Sequence, residues 1–314
     1  MELITRIAES MLLLLLLFAA ALVMRRAGAL DEASSRVLAR LITLLVLPAL
    51  VFNHLSRHRI VPEMLEAPAI MLASGILLMG LGWLVGTRLF RLERPQLGAV
   101  VLCTGFCSAA FLGIPLVEIV YPDLALQESV LIAELGVGLP LFLLGPLVAA
   151  YYGDSAGFSM RVQLVSYLRS PIFLSIVVGL LWGNLGLPRG GNLALDTLFL
   201  TIGHLESALI PLVGLAIGLM LRPMPIARIA PLVAFVGVAQ LALQPLLLAG
   251  AARLMELPSS QSESLILQAA APVATLPAIF CREYNCDGEL AAGLILFTTL
   301  LSLISIPLVV ATLG

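Results

Sequence analysis

Apolar runs of about twenty residues, separated by short clusters of Arg, Asp, Pro and Gly, follow one another along almost the whole chain. Runs of that length match a helix crossing the hydrocarbon layer of a bilayer. Ten are predicted: about Ile7–Met24, Val37–Leu55, Ala67–Phe90, Leu97–Val120, Ser129–Tyr152, Leu164–Leu185, Thr197–Leu221, Ile226–Leu254, Ser264–Arg282 and Leu290–Leu313. The first, with MLLLLLLFAAALVM, carries its positive flank Arg25–Arg26 after the apolar run. A secretory signal carries that charge before it, so the run is read as a true span.

Composition sets the class. Of 314 residues, 61% are hydrophobic and 11% charged, more apolar surface than a soluble chain of this size can bury. Nineteen acids face seventeen arginines and no lysine, a balance that gives nucleic acid no basic patch to bind. Orientation follows the arginines. Loops after the odd spans hold Arg25, Arg26, Arg36, Arg40, Arg88, Arg91, Arg94, Arg161, Arg169, Arg222, Arg228 and Arg282. The other side holds Arg6, Arg57, Arg59, Arg189 and Arg253, which puts both termini on the non-cytoplasmic side.

Proline and glycine landmarks recur at a near-constant offset. Pro48 matches Pro211, Pro115 matches Pro277, Pro146 matches Pro307, and Gly28 matches Gly186. Each half holds five spans, and an odd number inverts the second half in the membrane. The pattern therefore predicts an all-α polytopic membrane protein of ten helices, built as inverted five-helix repeats over residues 1–155 and 156–314, a transporter architecture. Spans 4 and 9 are the matching broken helices: Gly113 with Pro115 interrupts one, Pro272 with Pro277 the other. A break frees backbone amides and carbonyls, which a bilayer tolerates only where protein or a watery cavity satisfies them. Half-helix N-termini then suit an anion, and freed carbonyls a cation.

The stretches FLGIPL, LPALVF, SALIPLVGLAIGLML and YNCDGELAAGLILFTTLLSLISIPL together resemble the auxin efflux carrier family over essentially the whole chain. The resemblance implies a fold related to the bile-acid sodium symporters. Helices 1, 2, 6 and 7 would form a scaffold, and helices 3–5 and 8–10 a transport domain moving in elevator fashion. Crossed breaks in helices 4 and 9, a homodimer and a bacterial cytoplasmic membrane are further implications. The sequence departs from the family at two points. Ser108-Ala109-Ala110-Phe111 stands where an asparagine is common, and Leu276-Pro277 stands where a second one is. Both amides would help hold a carboxylate, so auxin itself is not implied.

The resulting expectation is a secondary transporter of a small organic anion, such as a mono- or dicarboxylate. The anion would lie near Ser108, Ala109, Phe111, Gly113, Ile114, Pro115, Pro272, Val273, Thr275 and Pro277, with Phe52 and Asn53 lining its cavity from the scaffold. A sodium-coupled symporter, or a sensor or partner subunit that keeps the fold, remains open. No HExxH, GxSxG or paired intramembrane aspartates point to an enzyme, and no cofactor is called for. Glu206 and Glu134 are candidates for proton coupling, because a charge inside a bilayer costs at least about 2.5–3.5 kcal/mol. Glu206 is nearer midspan, whereas Glu134 is placed close enough to its span's end to reach interfacial water. His54 and His204 are read as interfacial. Gln240, Gln244 and Gln268 either face the cavity or join helices. Cys103, Cys107, Cys281 and Cys286 are read as small buried hydrophobes, with a soft-metal site geometrically conceivable.

Overall fold

A computed structural model describes residues 16–17, 19–57, 59, 61–121, 126–153, 159, 161–162, 165, 168–220 and 229–313. The two termini, most of the first predicted span, Arg6, His58, Leu164, Arg222 and Arg228 lie outside the described residues. All regular structure within them is helical. In chain order the main helices are α1 (Ile42–Leu55), α2 (Pro62–Arg88), α3 (Arg94–Gly105), α4 (Ala109–Val120), α5 (Leu126–Gly153) and α6 (Pro171–Asn184). They continue with α7 (Leu193–Ala216), α8 (Ala230–Leu254), α9 (Ser259–Ala269), α10 (Leu276–Glu283) and α11 (Gly288–Ala311). Helix Glu32–Leu41 runs directly into α1. Five helices, α2, α5, α7, α8 and α11, are long and apolar enough to cross a membrane, and α1, α4 and α6 are shorter apolar helices. The chain is a multi-pass helical membrane protein.

The fourth and ninth predicted spans each divide in two, into α3 with α4 and α9 with α10. Proline explains another recurring feature. Four wide turns interrupt otherwise regular helix at Ile42–Val46, Ala109–Gly113, Ile132–Gly138 and Ala239–Leu243. Each is followed, two residues on, by proline: Pro48, Pro115, Pro140 and Pro245. Proline has no N–H and its ring collides with the carbonyl four residues back. The residue before each proline instead donates five residues back, Ile114 to Ala109 and Leu139 to Glu134 for example, and the wider turn removes the collision.

Two compact units emerge. One comprises Met1–Ala8, Met64–Leu164 and Pro223–Gly314, and so contains nearly all of α2, together with α3–α5 and α8–α11; the other comprises Glu9–Glu63 and Val165–Arg222, containing α1, α6 and α7. In the first, α2 packs along α3 and the wide turn of α5, and α8 packs on α2. In the second, α1 packs against α6 and α7. The second unit also carries matching chain reversals at Gly28 and Gly186, both with positive φ (72° and 63°). Ala29 N–H donates to Met24 and Gly28 N–H to Arg25, as Leu187 donates to Trp182 and Gly186 to Gly183. These are the same pair of helix-ending bonds, and the left-handed residue they require favours glycine.

Candidate functional site

In the first unit α3 stops at Gly105 and the chain turns extended at Phe106 (φ −128°, ψ 112°). Between α9 and α10 the chain is likewise non-helical through Ala274. Pro272 accounts for that gap, since it lacks a donor and biases Ala271 away from the helical region. The two breaks cross antiparallel at Cys107 and Val273. Ser108 N–H donates to Pro272 C=O (2.7 Å) and Ala274 N–H to Phe106 C=O (2.9 Å), so each break satisfies groups the other leaves bare. The first interruption is thus at Phe106–Ser108, not at Gly113 and Pro115. Those two lie within α4, where the wide turn has absorbed the proline.

Ser108 and Thr275 precede the first turns of α4 and α10, and neither side chain caps its helix. Ala109, Pro272 and Val273 are buried at the crossing, while Phe111 and Thr275 are partly exposed. Ile114 and Pro115 lie a turn further into α4, and Pro277 lies in the first turn of α10; all three are buried. Gly113 abuts α9: a Cβ there would stand 2.9 Å from Gln268 Cγ. Phe52 and Asn53 belong to the second unit.

Buried amides finish the accounting. Gln240 Nε2 donates to Thr104 C=O (2.6 Å) and Cys103 C=O (3.3 Å), carbonyls of the last turn of α3. Gln268 Nε2 donates to Ser129 C=O (2.9 Å), Ser129 and Ser264 share a hydroxyl hydrogen bond (2.6 Å), and Gln244 Nε2 donates to Ser74 Oγ (3.3 Å). All three glutamines join helices. Cys103, Cys107 and Cys281 are buried, Cys286 Sγ donates to Ala149 C=O (3.1 Å), and the described residues hold no cluster of metal-ligating side chains. Glu134, expected to reach interfacial water, is instead 4% exposed within the wide turn of α5. The packing of α2, α4 and α9 against that turn encloses it, which distance from the span's end did not reveal.

The second unit holds a different polar group, at the end of α1. Glu206, in α7, receives hydrogen bonds on both oxygens: His54 Nε2 lies 2.6 Å from Oε1, and Asn53 Nδ2 donates to Oε2. Asn53 Oδ1 in turn accepts from Arg189. The Arg189 guanidinium lies 4.4 Å above the Phe199 ring, which stacks with Phe52 (5.8 Å) and meets Trp182 edge-on (5.9 Å). Burial and the neighbouring Arg57 lower the pKa of Arg189, while Glu206 opposes them. His54, read from sequence as interfacial, is buried because it partners Glu206; His204 is exposed. Neither His54 nor Arg189 had a local signal, since both partnerships span more than a hundred residues of chain.

The sequence profile of the membrane transport protein family matches residues 6–164 and 155–310. Curated relatives include an uncharacterized transporter of Methanothermobacter thermautotrophicus, 24% identical over 290 residues that cover 91% of each chain. Another, from Methanocaldococcus jannaschii, is 21% identical over 290 residues that cover 90% of each.

Proposed function

The chain belongs to the membrane transport protein family, that of the auxin efflux carriers, and from that premise we propose that it is a secondary transporter for a small organic anion, of the mono- or dicarboxylate class. The observation that carries this reading is the crossing of the two breaks at Cys107 and Val273. It assembles the starts of α4 and α10 within one unit, each preceded by a hydroxyl residue, Ser108 or Thr275, that does not cap its own helix. The N-terminal amides of α4, with the hydroxyls of Ser108 and Thr275 beside them, suit a carboxylate without a fixed counter-charge. Ala109, Phe111, Gly113, Ile114, Pro115, Pro272, Val273 and Pro277 shape the surrounding wall.

The division into two units supports assigning the first as the moving transport domain and the second as the scaffold, in an elevator-type cycle. The matched caps at Gly28 and Gly186 support an inverted repeat of two five-helix halves, so ten spans in all. A homodimer in the bacterial cytoplasmic membrane, with both termini outside, completes the proposal. At α3 the carbonyls of Cys103 and Thr104 already accept from Gln240, which takes up part of the acceptor capacity that a cation there would use.

Thermal unfolding of the purified protein against a panel of carboxylates, with and without sodium, tests the reading. A ligand that binds the folded state raises the melting temperature by mass action. One carboxylate is expected to stabilise the wild type, without sodium, and to lose most of that effect in Ser108→Ala/Thr275→Val. Stabilisation unchanged in the double variant would remove the crossing as the site.

A further inference from the structure

Glu134 stands apart from the other buried polar groups of the first unit. It sits in the wide turn Ile132–Gly138, 4% exposed, and its Oε1 is out of reach of water with no hydrogen-bond partner among the described residues. The carboxyl lies along its own helix, toward the next turn: a Cβ on Gly138 would stand 2.9 Å from Oε2. Helix α2, packed against this turn, carries Glu63 and Glu66 near its start and Arg88 in its last turn, at opposite ends of the helix. Leu126–Leu131, leading into the turn, carries Glu128, and α9 carries Glu263. The wide turn of α4 carries no titratable group and its following turns carry Glu118, while the remainder of α5 carries only Tyr151 and Tyr152 near its end. None of these charged side chains hydrogen-bonds Oε1 of Glu134.

An acceptor oxygen in such a place has few satisfactory states. A metal needs further ligands, and a water molecule needs volume and two or more polar partners. A proton needs no added ligand or water volume, and it replaces a buried charge with a neutral hydroxyl that costs far less to bury. We propose that Glu134 is a proton-binding site of the first unit, carrying its proton in the arrangement described and releasing it when the unit rearranges to admit water to Oε1. The turn that holds it packs against Ala109–Gly113 of α4 and against α9, the elements that run from and into the crossed breaks. A proton held there travels with the anion and offsets one negative charge, the whole charge of a monocarboxylate. That coupling rests on the transport reading given above, whereas the protonation itself does not.

Infrared spectroscopy of the full-length protein in liposomes tests the site directly. At neutral pH the wild type is expected to show a protonated-carboxyl stretch that shifts in D2O and is lost in Glu134→Gln. Raising the pH should remove the same band in a one-proton step. Glu128→Gln and Glu263→Gln should leave it in place, and Glu134→Asp should move it without abolishing it, which keeps the test valid if Glu134→Gln fails to fold. A wild-type spectrum that Glu134→Gln does not change would overturn the proposal. No carboxylate need be transported for the band to appear, so this inference and the transport reading fail separately.

Discussion

Two glutamates, Glu206 half-buried in the second unit and Glu134 buried in the first, are handled in opposite ways. Glu206 has a donor on each carboxylate oxygen, and the chain of bonds continues through Asn53 to Arg189 and onto the Phe199 ring. Glu134 has an oxygen with no donor among the described residues. In a low-dielectric interior, a charge with satisfied partners is part of the structure, and one without them is a group that must change state. The same contrast extends to the surroundings. The second unit ties α1, α7 and the loop after α6 together through the carboxylate of Glu206, the guanidinium of Arg189 and the side chains of Asn53 and His54 between them. The first closes its breaks with backbone pairs and neutral amides, arrangements that exchange partners at lower cost.

The largest expected effect breaks the contrast at its tied end. Glu206→Ala strands buried donors on His54 and Asn53 and should cost about 3 kcal/mol of stability. Glu134→Gln, which keeps the shape and removes the charge, should stay within about 1 kcal/mol of the wild type. Thermal unfolding in one detergent compares the two. A Glu134→Gln variant less stable than Glu206→Ala would reverse the assignment of the tied and the changeable carboxyl.

An intermediate effect is expected at Gln240. Replacement by Leu leaves the Cys103 and Thr104 carbonyls without the amide, for a loss of about 0.6–1.7 kcal/mol, the range of hydrogen bonds between membrane helices. It also frees those carbonyls of their donor, so the variant sharpens the question of cation binding. If Gln240 stands where a cation would otherwise sit, Gln240→Leu should gain a sodium-dependent rise in melting temperature that the wild type lacks.

How far the sequence reached depends on whether a feature was set locally. Proline at 48, 115, 140 and 245 acts within one turn, so those irregularities are written in the chain, as are the caps at Gly28 and Gly186. The break at Phe106–Ser108 is not, because its extended conformation is fixed by pairing with Val273 far along the chain, and Phe106 and Cys107 have no residue-level reason to leave a helix. Gly113 and Pro115 drew attention to α4 but misplaced the interruption by about a turn and a half, since a wide turn lets proline stay inside a helix. His54 with Glu206 and Arg189 with Asn53 are likewise products of folding. Charge spacing along one helix pairs residues three or four apart, and these partners are on different elements.

The smallest stability effect carries the finest distinction. In α4 the Ser108 carbonyl accepts from both Leu112 N–H and Gly113 N–H, at 2.9 Å each, so it already lies between the regular and the wide turn. Pro115 holds the balance, because its ring cannot sit over a regular carbonyl at Phe111. Pro115→Ala restores a donor and removes the ring, and the turn can then tighten, with Gly113 N–H moving from Ser108 to Ala109. The net change in stability should be within about 0.5–1 kcal/mol, as a recovered hydrogen bond offsets the repacking. Yet tightening drops one residue from the turn and rotates Ser108–Phe111 relative to the rest of α4. If those residues form the anion site, Pro115→Ala should melt like the wild type while losing the rise in melting temperature that a carboxylate gives. A variant that keeps this rise would show that the wide turn serves only to seat a proline, and that the crossing of the breaks alone positions the ligand.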